Sequence, residues 1–311
     1  MASPKRSSRS AASAKRTPRR TRRRAAAGEA PLTPIVGIGS SAGGLEALEA
    51  FFRAMPADSG MAFVVVTHQL PDHTSLLPEL LGRYTSMPIS EVTTGMPVQA
   101  NQLYLSTPGS YLSIFNATLQ PMTPERTNGP PLPIDYFFRA LAEDQQEQAI
   151  GIVLSGTGTD GTLGLQAVKG YGGLTLVQAA DDARFPGMPQ SALATGAVDH
   201  VLPVAAMPQA LLAIAQTPYW ATPTGEGSRP DWTDERLRQL FILLRNRTRH
   251  DFAAYKPTTI RRRLERRMAV HQLDTPQQYL QLVQDQPHEL DLLFREFLIS
   301  GFTNSGRLSS S

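Results

Sequence analysis

The chain has 311 residues, enough for one large or two medium domains that each bury a core. It contains no cysteine, which excludes disulfides, thiolate zinc sites and a cysteine nucleophile. No apolar run approaches the roughly 20 residues that a transmembrane helix needs, so we expect no membrane span.

The net charge of +3 is unevenly distributed. Residues 1–24 carry ten basic side chains and no acidic one, and removing these from the 30 basic residues leaves 20 against 27 acidic ones. Because residues 1–30 also lack apolar periodicity, they are predicted to form a disordered basic tail. Such a tail is either a solvated segment or one attracted to nucleic acid or membrane surfaces, and we expect no specific nucleic-acid partner.

From residue 34 onward, short apolar runs alternate with helical patterns. Strands are predicted over residues 35–38, 61–67, 89–92, 103–106, 149–155, 174–178 and 197–202, with a hairpin inside 111–120. Helices are predicted over 45–55, 75–84, 134–148, 162–169, 189–195 and 207–216. Strands without clean polar alternation, separated by helices, predict a doubly wound, mostly parallel α/β sheet with helices on both faces. This domain is expected to span residues 31–218.

The pattern changes after a linker rich in Pro, Gly and Thr, predicted over residues 219–232. Helical periodicity without intervening strands follows over 237–248, 258–271, 275–285 and 289–300. We therefore predict a separate small all-α bundle over residues 233–302 and a disordered tail over 303–311.

The stretch from Pro34 to Leu48 has the pattern of a strand, a tight turn and a helix. It contains Gly39-Ser40-Ser41-Ala42-Gly43, a G-x-S-x-G match, which is typical of a serine lifted clear of a sheet on a sharp turn. The pattern alone is weak, because small loops rich in Gly and Ser are common.

Two further predicted strands end in residues that complete such a site. The 61–67 strand is followed by His68, and the 149–155 strand is followed by a glycine-rich loop with Asp160. In isolation, a core or cap histidine and a helix N-cap aspartate would be the better interpretations. Because ligands of open α/β sheets bind beyond the carboxyl ends of strands, the three residues together predict an activated serine hydroxyl.

A dinucleotide site is the rival interpretation of the same loops. Gly156–Gly161 matches G-x-G-x-x-G after a strand, Asp181 follows about 20 residues later, and Gly37–Ala42 fits the looser G-x-G-x-x-A form. Against it, Asp160 would put a carboxylate where pyrophosphate should bind, and the strand after the first loop ends in Thr67-His68 instead of an acid.

Four motifs occur in order along residues 34–213: Gly37–Gly44, Thr67–Pro71, Leu154–Gly161 and Phe185–Pro189. Together they resemble the catalytic domain of the bacterial chemotaxis protein-glutamate methylesterase. The resemblance implies hydrolysis of glutamate γ-methyl esters on chemoreceptors, with release of methanol, and deamidation of receptor glutamines. It assigns Ser41 as the nucleophile, His68 as the base and Asp160 as the orienting acid, and it leaves Ser40 a structural role.

Attack of Ser41 on an ester would create an oxyanion, for which the backbone N–H groups of Ala42 and Thr157 are candidate donors. Some family members carry threonine and methionine at these two positions, but a backbone donor survives either change. The family's receiver domain, whose phosphorylation relieves inhibition, has no counterpart here, so the usual activation mechanism is not expected.

Tyr255–Met268 and Phe294–Ser300 resemble parts of the N-terminal helical domain of the chemoreceptor glutamate methyltransferase. That resemblance implies docking to receptor helices through a positive helix, which would face acidic receptor segments with Arg261, Arg262, Arg263, Arg266 and Arg267. The plain alternative is a solvated charged helix face.

The family's cofactor-binding domain does not follow residue 300, so we expect no methyltransferase activity and no S-adenosylmethionine site. The sequence thus predicts a cytoplasmic serine esterase without metal or cofactor, acting on methylated chemoreceptor helices. A non-catalytic adaptor that binds receptor helices is the alternative from another class.

Overall fold

The computed structural model describes residues 33–68, 75–123, 130–221, 230–252 and 255–303. The predicted N-terminal tail, the middle of the linker and residues 304–311 of the predicted C-terminal tail lie outside this range. The described residues from Thr33 onward form one compact unit.

Seven strands form one sheet in which every pairing is parallel. The strands among the described residues are β1 (Ile35–Ser40), β2 (Ala62–Thr67), β3 (Ile89–Glu91), β4 (Met96–Pro97), β5 (Leu103–Leu105), β6 (Tyr111–Phe115), β7 (Thr118–Met122), β8 (Ala149–Val153), β9 (Leu174–Gln178) and β10 (His200–Leu202). The parallel sheet has the order β10-β9-β8-β1-β2-β5-β3, and β4-β7-β6 form a small antiparallel sheet.

The helices follow the predicted pattern closely. They are α1 (Gly44–Ala54), α2 (Leu77–Leu81), α3 (Pro133–Gln145), α4 (Thr162–Gly170), α5 (Gly187–Ala194), α6 (Met207–Ala215), α7 (Pro218–Ala221), α8 (Asp234–Thr248), α9 (Pro257–Val270), α10 (Pro276–Asp285) and α11 (His288–Thr303). None of the helices in the described ranges is long and apolar enough to cross a membrane. The predicted fold class, an α/β domain followed by an all-α part, is confirmed.

Two hydrophobic layers explain why the central strands read as continuous apolar runs. Alternate residues of β1 enter different layers: Val36 and Ile38 pack with α1 and α6, whereas Ile35 packs with α3, α4 and α5. All six residues of β1 are buried. Burying a Val or Ile side chain contributes about 1.5–3 kcal/mol, so a sheet covered on both faces selects apolar residues at every position.

The start of the expected linker is ordered instead. Residues 218–221 form α7, and Tyr219 and Trp220 are buried in the hydrophobic layer that also contains α1 and α6. The Pro and Thr residues around them indicated a loop, but the two aromatic side chains bury more apolar surface by packing than a linker would allow. The expected hairpin is present as β6 and β7, whereas β4 was not predicted.

The helical bundle has its own apolar core and an internal ionic cluster. Leu237, Leu240 and Leu244 line one face of α8 and pack against residues of α9, α10 and α11. Glu289 of α11 is buried, and it accepts hydrogen bonds from Arg267 Nε at 2.7 Å and from Tyr279 Oη at 2.8 Å. This arrangement joins three helices through one buried carboxylate.

Glu289 makes the stability of the bundle dependent on acid. Burial raises the pKa of Glu289, but hydrogen bonding to His271 and attraction to Arg267 outweigh it and lower the pKa from 4.5 to about 2. The stabilisation by this carboxylate is therefore complete above the unfolded-state pKa and is lost as pH falls from 4.5 towards 2. The shift corresponds to about 3 kcal/mol.

We expect Glu289→Gln to lower the free energy of unfolding at neutral pH and to remove part of its dependence on pH between 4.5 and 2. Denaturant unfolding followed by circular dichroism across this pH range measures both effects. Curves for wild type and variant that stay parallel over the whole range would contradict the assignment.

Candidate active site

Three neighbouring strands in the middle of the sheet, β8, β1 and β2, end at the same edge. The register pairs Ser40 with Thr67 and Gly39 with Val153, so the residues that follow these strands start level with one another. The chain adds β2 on one side of β1 and β8 on the other, which makes this edge a topological switch point. Such switch points are where open α/β sheets bind ligands.

Ser41 begins the turn between β1 and α1. Its backbone N–H donates to Ser155 O at 3.0 Å, and its carbonyl accepts from Gly44 N at 2.8 Å. Gly43 has φ of 70°, and a Cβ there would lie 2.8 Å from Ser155 Oγ. The left-handed backbone and the lack of space both require glycine, which gives the sharp turn that the G-x-S-x-G pattern predicted.

The His68 ring bridges the other two predicted residues. Its Nδ1 is 3.0 Å from Ser41 Oγ, and its Nε2 is 2.8 Å from Asp160 Oδ2. An ionised carboxylate only accepts hydrogen bonds, so Nε2 carries the proton and Nδ1 is left to accept from the serine hydroxyl. The two ring nitrogens thus exchange the roles they have in chymotrypsin-type triads, while the order of hydroxyl, imidazole and carboxylate is kept.

The carboxylate of Asp160 caps a helix that lies elsewhere in the chain. It accepts from Ile134 N at 3.0 Å and from Asp135 N at 2.8 Å, both in the first turn of α3, and from Gly161 N at 2.9 Å. The residue before α3, Leu132, has no side chain that could cap the helix. Free N–H groups and the helix dipole favour a negative charge at this point.

Asp135, in the first turn of α3, in turn caps the N terminus of α4. Its Oδ1 accepts from Gly164 N at 2.7 Å, where the α4 N-cap residue Gly161 has no side chain to do so. Burial raises the pKa of Asp135, and the neighbouring Asp160 raises it further, against the opposing hydrogen bond from Gly164. Asp160, just before α4, therefore caps α3, and Asp135 of α3 caps α4, so the Asp160 carboxylate is held in a fixed position between the two helix starts.

Ser155 and the loop after β9 lie in or next to the Leu154–Gly161 and Phe185–Pro189 motifs, but sequence reasoning gave neither of them a role in the site. Ser155 is fully buried; its Oγ donates to Ala42 O at 2.9 Å and accepts from Phe185 N at 3.0 Å. Gly156 N donates to Phe185 O and Met188 N donates to Gly156 O, each at 2.9 Å. The motifs did not indicate this role, because a side chain that braces a loop leaves no spacing signature.

The candidate oxyanion donors flank Ser41. In the described part of the chain, the backbone N–H groups of Ala42 and Thr157 have no hydrogen-bond acceptor. A Cβ on Gly156 would lie 3.0 Å from Ser41 Cβ and would overlap the Met188 sulfur. The absence of a side chain at Gly156 is therefore what lets the 155–157 segment approach Ser41 closely.

The geometry counts against a dinucleotide at the same edge. A pyrophosphate at the N terminus of α4 would meet the carboxylates of Asp135 and Asp160, which already occupy the first-turn N–H groups there. Asp181, the expected ribose partner, is an exposed residue after β9. No group of three or more His, Asp or Glu residues in the described ranges could hold a metal ion.

The arginines predicted to face the receptor differ in exposure, and the prediction is wrong for Arg266 and Arg267, which are buried. Arg266 and Arg267 are only 2% exposed, because they pair with acidic residues inside the protein. Arg262 pairs with Glu147, and Arg263 donates to Glu296 O at 2.5 Å. Arg261, with a side chain 45% exposed, is the member of the five that points most to solvent.

Comparisons with known proteins identify both parts of the chain. The family model for the CheB methylesterase matches residues 36–211, more than half of the chain, and the model for the all-alpha domain of the CheR methyltransferase matches residues 235–298. The crystal structure of the Thermotoga maritima CheB methylesterase catalytic domain is 28% identical, with a TM-score of 0.55, and covers 58% of this chain and 98% of that one.

Two curated relatives show how the chain compares in length. A protein-glutamate methylesterase/protein-glutamine glutaminase of Burkholderia pseudomallei is 34% identical over 62% of this chain and 57% of its own length. An uncharacterised 104.1 kDa protein of Rhodobacter capsulatus is 34% identical over 72% of this chain but 25% of its own length. The chain thus spans a quarter to about 57% of these relatives, and by its matched domain it belongs to the CheB methylesterase family.

Proposed function

We propose that this protein is a serine esterase that hydrolyses γ-methyl esters of glutamate side chains on chemoreceptor helices and deamidates receptor glutamines. The observation that supports it most directly is the His68 ring, in contact with both Ser41 Oγ and Asp160 Oδ2. Relatives named protein-glutamate methylesterase/protein-glutamine glutaminase support the choice of substrate. Chemoreceptors present these side chains in the cytoplasm, which is where we propose that the protein acts.

The reaction starts with attack of Ser41 Oγ on the ester carbonyl carbon, while His68 Nδ1 takes the hydroxyl proton. The negative charge on the carbonyl oxygen is stabilised by the N–H groups of Ala42 and Thr157. Asp160 keeps the ring oriented and stabilises the imidazolium that forms. The carbonyl then re-forms, the bond to the methoxy oxygen breaks, and the imidazolium proton leaves with methanol.

Water completes the cycle. It attacks the acyl group on Ser41, gives a proton to His68, and releases the glutamate carboxylate and the serine hydroxyl. With a glutamine side chain, ammonia leaves in place of methanol and the product is the same glutamate. The chemistry requires neither a metal nor a cofactor, because the hydroxyl, imidazole and backbone donors supply every proton transfer and charge contact.

Ser41→Ala tests the nucleophile, with Ser40→Ala as its matched control. The two serines are adjacent, but Ser40 Oγ is buried and lacks a hydrogen-bond partner among the described residues. Methanol release from a methylated chemoreceptor cytoplasmic fragment should fall at least about a thousandfold in Ser41→Ala. It should stay near the wild-type rate in Ser40→Ala, which removes a hydroxyl that stabilises nothing.

Equal rates in wild type and Ser41→Ala would contradict the mechanism. Binding of the fragment by wild type without any methanol release would favour the alternative, a receptor-binding adaptor.

Gly156→Ala tests the close approach of the 155–157 loop to Ser41. The added methyl group meets Ser41 Cβ and Met188, so the oxyanion donors should shift relative to the hydroxyl. A displacement of about 1 Å costs about a hundredfold in rate, and kcat should bear this loss. Circular dichroism and thermal unfolding verify that the variant folds.

Gly158→Ala is the control in the same loop. A Cβ at Gly158 meets nothing within 4 Å, and only its φ of 83° disfavours alanine. We expect a loss of about 1–2 kcal/mol in stability and a much smaller effect on kcat. A larger loss of kcat in Gly158→Ala than in Gly156→Ala would rule out the steric explanation.

A further inference from the structure

The helical bundle is attached to the α/β domain at the amino ends of the sheet strands. Arg262 pairs with Glu147, which precedes β8. Arg266 Nε donates to Gly172 O at 2.9 Å, and its Nη2 donates to Gly173 O, both just before β9. Arg266 also pairs with Asp199, the residue before β10, at 2.6 Å. One face of α9 thus contacts the residues that precede three strands, β8, β9 and β10.

The centre of this contact is a buried cluster of charges. Asp199 and Glu296 each accept from Lys169 Nζ at 2.5 Å, and each accepts from Arg266 at 2.6 Å. Arg267 lies 3.4 Å from Asp199 and also pairs with Glu289. The cluster balances three cations against three carboxylates, and none of the six side chains is more than 6% exposed.

The pKa shifts of Asp199 and Arg266 favour their ionised forms, whereas burial and the nearby Arg266 lower the pKa of Lys169. Burial raises the pKa of Asp199, but Arg266 and Lys169 outweigh it and hold the pKa well below its usual range. Burial lowers the pKa of Arg266, and the two carboxylates more than reverse this. Removing one partner of such a pair leaves a buried charge without compensation. Separating the two domains would therefore break the ion pairs and disfavour the separated state.

Apolar packing continues across the same boundary. Ala269 and Val270, at the end of α9, belong to the hydrophobic layer that also contains Leu174 and Leu176 of β9. The guanidinium of Arg262 lies 4.3 Å from the ring centre of Tyr219, and Tyr219 Oη donates to Gly172 O at 3.3 Å. The contact therefore combines a hydrophobic layer with ion pairs, as stable interfaces do.

We infer that the arginine face of α9 is a docking surface for the chain's own α/β domain, so that the helical bundle is a fixed part of the esterase. This assignment gives the CheR-type domain a use other than receptor contact through α9, because four of the five arginines predicted for that contact are engaged within the protein: Arg262, Arg263, Arg266 and Arg267. The bundle sits at the amino ends of the strands, whereas Ser41, His68 and Asp160 follow the carboxyl ends. The fixed bundle leaves the catalytic edge uncovered.

The experiment replaces residues 222–229 of the full chain with a protease recognition sequence and cleaves the folded protein. The two halves should stay together in size-exclusion chromatography at about 10 µM and should separate only in denaturant. Elution of wild-type halves as two separate species at this concentration would overturn the inference. Because cleavage follows folding of the intact chain, this result does not depend on any substitution in the α/β domain or in the helical bundle.

Charge variants of the cleaved protein then identify the surface. Arg262→Glu should weaken association of the halves at least about tenfold, because it sets a carboxylate against Glu147. The swap of Arg262→Glu with Glu147→Arg should recover most of that loss. Arg261→Glu is the matched control on the same helix, because Arg261 contacts Asp234 within the bundle at 3.6 Å and should leave association unchanged.

Equal weakening by Arg261→Glu and Arg262→Glu would show that general charge and not this surface holds the halves together, and it would overturn the inference. The readout is association and not hydrolysis, so the result is independent of the proposed esterase function.

Discussion

The Asp160 carboxylate accepts hydrogen bonds from three backbone N–H groups and from the His68 ring, and the candidate site depends on that arrangement. The backbone donors include the start of α3, so the carboxylate is held by a helix that belongs to a different segment of the chain. In return, Asp135 of α3 caps α4, the helix that follows Asp160. Two helices that lack caps of their own thus lock one another, and the imidazole is oriented as a consequence.

The same edge of the sheet shows why small residues are needed around Ser41, the proposed nucleophile. Gly43 and Gly156 stand where a Cβ would collide with Ser155 or Met188, and Ser155 ties the turn after β1 to the loop before α5. These contacts hold the 41–43 and 155–157 segments in place before any substrate arrives. Hydrogen-bond donors that are held in place in this way need not reorganise during the reaction. They can therefore stabilise a developing oxyanion at little cost in free energy.

At the amino ends of the strands, charged side chains orient the helical bundle on the α/β domain. A buried ion-pair cluster contributes little net stability compared with apolar packing, because desolvation offsets most of the attraction. It does provide directional contacts, because the Arg266 guanidinium donates to Gly172 O, Gly173 O and Asp199 at the same time. Apolar burial around Tyr219 and Val270 stabilises the contact, and the charged groups determine how the bundle is oriented on the sheet.

By itself the sequence determined the α/β and all-α classes, nearly all the helices and strands, and the three residues of the candidate triad. The classes and elements follow from local periodicity. The candidate residues follow from the rule that parallel strands carry their functional residues at a shared edge, and the resemblance to the methylesterase family assigns their roles. The sequence around Arg266 does not indicate that its side chain contacts Asp199, 67 residues away, instead of solvent. The roles of Ser155 and Asp135, the burial of Tyr219 and the use of the arginine face were likewise decided only by tertiary structure, because each depends on which distant backbone or carboxylate group lies within hydrogen-bond distance.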